Sequence, residues 1–329
     1  MISKKRNSSI EALRLFFMFG IVLGHVYCHG AHLDFQWIYN MCETSANIWN
    51  MPLYTLGTIG VTGFMFISGY YGLNGSVDKI VRFLWITIFY GLVGMIYSGL
   101  SLRKIIMLPL SFDLWWFVSS YMVLLLISPI LNKGIEMINR QQHKLIVAGL
   151  LIYTYILGYF NWANSRDFVF LFTIYMVARY IRLYPKNRLA SLCQHYGGAI
   201  LIAYFLIPIL MVYFGINWEL CMVKFLQNNN PLILIGCTWL ILLAEKYKSY
   251  NRSINWLAYS SLAIYLITEY PSIRYDLCPV LLQPTLHGWG IGLVLLICLA
   301  CILFDKIRDK VFQLVVYSYK KINLRWKIK

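Results

Sequence analysis

Ile10-Glu-Ala-Leu-Arg14-Leu-Phe-Phe-Met-Phe-Gly20-Ile-Val-Leu-Gly-His25-Val-Tyr-Cys28 is the stretch whose reading decides the fold. A run of about 20 mostly apolar residues, at about 1.5 Å each, covers the ~30 Å hydrocarbon core of a bilayer. It is too long for the apolar region of a cleavable leader, and no small-residue cleavage site follows it, so it is expected to stay as a helix. Yet it carries Glu11, Arg14 and His25. An arginine within a membrane costs roughly 2.5–3.5 kcal/mol on insertion scales, so ionisable groups there point to function. On a helix, Arg14 and His25 stand about 16 Å apart along the axis.

The rest of the chain agrees with a membrane setting. Of 329 residues, 60% are hydrophobic and 13% charged, against about 25% charged in soluble domains; the mean hydropathy is +0.63. The fold expected is all-α and polytopic, one domain over residues 1–329. Ten spans are read at 10–28, 51–72, 83–100, 113–132, 143–160, 167–184, 197–215, 231–245, 254–273 and 288–304. Residues 101–112 are too short to span and are placed at the interface.

Ten spans put both ends on one side. On that side fall Lys4, Lys5 and Arg6, then Lys79 and Arg82, the basic connections near 133–144, 179–188 and 246–252, and the basic tail 305–329. The other side has only Arg103, Lys104, Arg166, Lys224 and Arg274. By the positive-inside rule both termini are cytoplasmic, and the tail, with its interleaved aromatics, is expected to lie along anionic lipid. The formal charge of +16 is thus sorted by membrane side. It is not gathered into a nucleic-acid surface, and no nucleic-acid partner is expected. The eight Cys are scattered, and Cys298-Leu-Ala-Cys301 lies inside an apolar run, where it reads as helix packing.

Glu11 and Arg14 are three apart and can pair on one helical face. Arg14 then either snorkels to head groups or meets a phosphate. Lys79 and Arg82 are likewise three apart, as membrane anchors or as phosphate contacts. His25, His29 and His32 recur with helical spacing, but Gly30 interrupts it and no metal is expected. His25 alone suits a general base, or a hydrogen bond to a neighbouring helix. In the second span Ser68 and Gly72 are four apart and would let helices approach closely. Glu269 is a further ionisable group near the outer side. No phosphate-cradling Gly-rich loop, His-Glu-x-x-His or Gly-x-Ser-x-Gly occurs, which leaves soluble-type nucleotide hydrolysis and serine-esterase chemistry without support.

Taken together these motifs resemble the acyltransferase 3 family of membrane-bound acyltransferases. Glu11-Ala-Leu-Arg14 followed by His25 is similar to its first-span signature. Gly60-Val-Thr-Gly-Phe-Met-Phe-Ile-Ser-Gly-Tyr70 resembles its second-span motif, and Lys79-Ile-Val-Arg82 its basic pair, with Lys for the first Arg. Trp115-Trp-Phe with Tyr121 and Pro129 resembles its Trp…Pro span, and residues 260–271 its late motif. Where many members have His after Tyr-Leu-Ile, this chain has Thr268 and then Glu269.

The resemblance implies a sugar O-acyltransferase of the bacterial cytoplasmic membrane. It implies acetyl-CoA as cosubstrate and an envelope polysaccharide or lipid-linked sugar as acceptor. His25 is then the base, with Glu269 in place of the missing His. Arg14, Lys79 and Arg82 meet the CoA phosphates, and Glu11, Ser68, Gly69, Trp116 and Tyr265 support the site. Some relatives carry an appended extracytoplasmic hydrolase-like domain. None is read in this sequence, so the chain is expected to complete the transfer or to pass the group to a partner. A homo-oligomer is left open. The rival reading is a glycan transporter or polymerase, although no repeat of paired broken spans is visible. A purely structural membrane protein would leave Arg14 and His25 unexplained.

Overall fold

The computed structural model describes residues 6–30, 51–100, 102–109, 114–158, 167–216, 225–286 and 289–326. His32, Asp113, Arg166 and Lys224 lie outside them. The architecture is helical, and no strand occurs among the described residues. The helices are α1 (Ser8–Gly30), α2 (Met51–Tyr71), α3 (Val77–Ser98), α4 (Leu102–Met107), α5 (Trp116–Met137), α6 (Arg140–Leu151), α7 (Phe168–Leu183), α8 (Arg188–Tyr213), α9 (Pro231–Lys246), α10 (Arg252–Ala258), α11 (Ser261–Thr268), α12 (Pro271–Leu286) and α13 (Gly290–Trp326). Among the described residues, five stretches are long and apolar enough to cross a membrane: Ser8–Val26, Val77–Ser98, Trp116–Met137, Arg188–Met211 and Gly290–Tyr317. This is a helical membrane protein.

The first hydrophobic run becomes the central post. Helix α1 packs against α2, α9, α10, α11, α12 and α13, and Phe17, Met18, Ile21, Val22, Leu23 and Val26 are buried. Its contact with α2 is a seam of glycines. A Cβ on Gly24 would stand 2.7 Å from Gly57 Cα, and one on Gly60 would stand 2.4 Å from the Phe17 carbonyl oxygen. Any side chain there would push the helices apart. The sequence reading expected Ser68 and Gly72 to serve the close approach. Instead Gly69 faces α7, where a Cβ would lie 2.9 Å from Ala178 Cβ, and Gly72 ends α2 with φ +81°, a conformation that glycine adopts without strain.

The turn after Gly72 is clamped from α5. Pro129 has no N–H, so the Leu125 carbonyl four residues earlier loses its helical donor. Ser128 Oγ donates to Leu125 O at 2.8 Å and accepts from the Gly75 N–H at 2.8 Å. Asn132 Nδ2 donates to Leu73 O at 2.7 Å. The Trp…Pro span thereby fixes the approach to Lys79.

The expected ninth span, 254–273, is not one helix. Asn251 caps α10 by accepting from Ser253 N (2.9 Å) and Ile254 N (3.1 Å). Helix α11 stops at Thr268, and Pro271 opens α12, because the residue before a proline is pushed out of helical conformation. The eight residues of α11 are too few to cross a bilayer alone. The 143–160 run likewise begins earlier, at α6, behind an Asn139–Gln142 capping box, and ends in a π-helical turn, Ile152–Leu157. The tail begins as a continuation of the 37-residue α13, whose Asp305, Arg308 and Phe312 are buried. Asp305 Oδ1 accepts from Tyr90 Oη at 2.9 Å and from Arg308 Nε at 2.8 Å. Cys298 and Cys301 are buried core residues, as the apolar run predicts.

Gly24→Val should overpack the α1–α2 seam, costing roughly 1–3 kcal/mol, and lower the melting midpoint of detergent-purified protein. Gly134→Ala, in α5 with nothing within 4 Å of its Cβ, should instead gain about 0.5–1 kcal/mol.

Candidate functional site

Helix α1 carries polar groups at two levels, and each level opens into a cavity. The larger is a cleft of about 850 Å³ at the N-terminal end of α1. Arg14 Nε lies 3.4 Å from Glu11 Oε2, one turn away, and Arg6 Nη1 lies 4.0 Å from Glu11 Oε1. The Arg14 guanidinium also stands 5.7 Å from the Phe64 ring centre. The spacing therefore does produce the Glu11–Arg14 pair that it predicts. The cleft is further lined by Ser68, Lys79, Tyr121, Arg182, Glu245 and Lys248. Five cations, Arg6, Arg14, Lys79, Arg182 and Lys248, thus face two carboxylates, Glu11 and Glu245. The surplus suits a polyanion.

Arg182 is held by Glu245 Oε1 (3.2 Å) and Tyr70 Oη (3.2 Å), and its guanidinium lies 4.9 Å from the Tyr70 ring centre. In the sequence it passed for a membrane anchor, because it sits in a basic connection like any other. Arg82 takes a different place from the one expected. Exposed, it turns toward α13, with Nη1 3.4 Å from Tyr259 Oη and the guanidinium 5.8 Å from the Phe312 ring. It does not line the cleft that Lys79 lines.

The second cavity, about 120 Å³, lies at the other level, and is termed the outer cavity for its distance from the N-terminal end of α1. It has room for reacting groups, not for a whole substrate. His25, His29, Trp116, Tyr265, Glu269 and Arg274 are on its wall. Glu269 is 5% exposed and is the hub. Its Oε1 lies 2.8 Å from His25 Nδ1, and its Oε2 lies 3.8 Å from His29 Nε2 and 3.5 Å from Arg274 Nη1. Glu269 stands at the end of α11, where its N–H donates to Tyr265 O at 2.9 Å. Ending α11 there puts the carboxylate, not the preceding side chain, against α1. Thr268 is buried and spends its hydroxyl on Ile264 O of its own helix (2.8 Å). The chain's departure from His at 268 therefore leaves position 269 as the one that meets His25.

Arg274 and His29 were not singled out as site residues by sequence. Arg274 was counted only as a rare outer-side cation, and His29 only as part of a spacing that included His32. His25, His29 and Glu269 bring their ligand atoms within 4.8 Å of one another and could hold a divalent ion. The Arg274 guanidinium already gives this carboxylate a positive neighbour.

Phe64 and Phe117, ring centres 6.0 Å apart, and Leu262 separate the levels. They line the outer cavity and also a cavity of about 240 Å³ that reaches Arg14. Tyr265 closes on His25 and Phe117, with ring centres at 6.2 and 6.0 Å. Trp116 lines the outer cavity, whereas its neighbour Trp115 is buried against Tyr270 at 6.0 Å. Ser68 lies on the cleft wall, and Gly69 serves the packing of α2 on α7.

A family model described as an acyltransferase domain matches residues 7–305. Neither a curated protein nor a solved structure matches the chain.

Glu269→Gln should remove the charge that gathers His25, His29 and Arg274. Breaking a buried pair costs roughly 3–5 kcal/mol, which should appear as a lower melting midpoint in detergent. Thr268→Val, losing one bond within its own helix, should cost about 1 kcal/mol. Equal midpoints for Glu269→Gln and wild type would show that the four groups are not coupled.

Proposed function

The chain belongs to the acyltransferase 3 family, and on that premise we propose that it moves an acyl group, in the first place acetyl, from a cytosolic acyl-CoA to a sugar hydroxyl of an envelope polysaccharide or lipid-linked glycan. The observation that carries the reading is the two-level layout of α1. A cationic cleft lies at one end and the His25–Glu269 contact lies about 16 Å along the helix, with Phe64, Phe117 and Leu262 on walls common to both sides. An acyl-CoA matches that layout, because its phosphates and its thioester stand at opposite ends of a long narrow arm.

In this reading the donor's phosphates rest against Arg14, Lys79, Arg182 and Lys248, and the thioester enters the outer cavity. His25 takes the proton of the acceptor hydroxyl as its oxygen attacks the acyl carbon. The C–S bond then breaks, and the CoA thiolate takes the proton from His25. Glu269 orients the imidazole and stabilises it when charged, the part a carboxylate plays beside a catalytic histidine. Trp116 and Tyr265 offer faces for a sugar ring. A multi-pass chain with both termini in the cytosol of a bacterium belongs to the same reading, and the asymmetry of Lys and Arg supports it. This reading assigns no metal to the reaction.

The test is the O-acetyl ester content of the host's surface polysaccharide, read by proton NMR in wild type, a deletion strain, and the deletion complemented with His25→Ala. Esters should vanish in the deletion and stay absent with His25→Ala. Loss of the polysaccharide itself would favour transport or polymerisation. With membranes and labelled acetyl-CoA, Arg14→Ala should raise the KM for acetyl-CoA about tenfold or more, a charge-assisted contact being worth roughly 1.5–3 kcal/mol. Arg82→Ala, turned from the cleft, should change it little. Excess EDTA should leave the transfer rate unchanged.

A further inference from the structure

Acyl transfer needs more than a base. When the acceptor oxygen adds to the carbonyl, negative charge gathers on the former carbonyl oxygen, and a donor aimed at that oxygen is worth about 10²–10³ in rate. His25 and Glu269 supply none, since one takes a proton and the other is an anion.

Arg274 meets the requirement. It stands in the first turn of α12, where its N–H donates to Tyr270 O at 2.8 Å. Pro271 starts that helix directly after the residues that present Glu269. The guanidinium lies 4.8 Å from the Tyr275 ring centre, which holds its plane, and its side chain is 20% exposed, on the wall of the outer cavity. A guanidinium has five N–H donors. Nη1 makes a long contact to Glu269 Oε2 at 3.5 Å, Tyr275 is a further side-chain partner, and Nε has no hydrogen-bond partner among the described residues. Glu269 offers Oε1 to His25 and Oε2 to Arg274, so base and cation stand on two sides of one carboxylate and face one small space.

We propose that Arg274 is a catalytic residue whose guanidinium donates to the oxyanion formed on the acyl carbonyl; this rests on the outer cavity being the transfer site. The acceptor O–H proton goes to His25, the C–O bond forms, and the carbonyl π pair moves onto the oxygen that Arg274 holds. The pair returns as the C–S bond breaks, and the thiolate leaves with the proton from His25.

The experiment uses membranes from the host deletion strain carrying each full-length variant, with labelled acetyl-CoA followed into endogenous glycan. Arg274→Gln should lower the plateau rate about 10²–10³-fold with the KM for acetyl-CoA unchanged. Arg274→Lys, a single point charge, should recover part of it. In a Glu269→Gln background, Arg274→Gln should cost a further large factor. A double variant no slower than Glu269→Gln would show that Arg274 acts only through that carboxylate and would overturn the proposal. A rise confined to the acceptor KM would overturn it in favour of acceptor binding. If Arg274→Gln does not accumulate in the membrane, Arg274→Lys decides: a plateau loss of tenfold or more supports the role, and a wild-type rate overturns it. Wild-type protein that transfers nothing from acetyl-CoA would overturn the acyl-CoA reading and this role together, an outcome distinct from an active wild type matched by Arg274→Gln.

Discussion

One buried carboxylate organises the outer level of this protein. Glu269 draws His25 and His29 from α1 and Arg274 from α12 onto its two oxygens, and so fixes α1, α11 and α12 to one another at a point where water is scarce. A lone ion in such a place costs several kcal/mol, and the cost falls only when partners surround it. The local chain geometry follows from this need. Helix α11 ends at Thr268 and α12 begins at Pro271, and the short break between them is what turns Glu269 toward the central helix.

The inner level follows the same logic with the sign reversed in emphasis. Glu11 is outnumbered by Arg6 and Arg14, and Glu245 is engaged by Arg182 and Tyr71. Each carboxylate orders its cations without cancelling them all, and Lys79 and Lys248 add to the excess. A cleft built this way is pre-organised at Arg14 and Arg182, whose guanidinium groups are held by Glu11 and by Glu245 and Tyr70. The clamp of Ser128 and Asn132 on the 72–76 turn extends that order to the start of α3.

Much of this was readable from spacing. Glu11 and Arg14 are one turn apart on a single helix, so their pairing needs nothing else from the fold. His25 stood out because an imidazole within an apolar run has few innocent explanations, and Glu269 because it follows the position where the family's His is absent. Contacts between distant parts of the chain were not readable. The meeting of Glu269 with His25 joins residues far apart in sequence, and Arg274 looked like a stray outer charge until α12 brought it to the same oxygen. Nor did spacing show that Arg82, a motif neighbour of Lys79, contacts Tyr259 and the Phe312 ring of α13.

The sequence by itself determined the membrane character, the helical class, the family and the two polar levels of the first span, because hydrophobic length and one-helix spacing are local quantities. Only the tertiary structure decided which cations line the cleft, that the 254–273 run breaks into separate helices, that the glycines of α1 and α2 meet each other, and that Arg274 and His29 share Glu269 with His25. These are outcomes of helices packing side by side. A change of one turn, or one proline, sends a side chain to a different neighbour, and no local pattern records which neighbour that is.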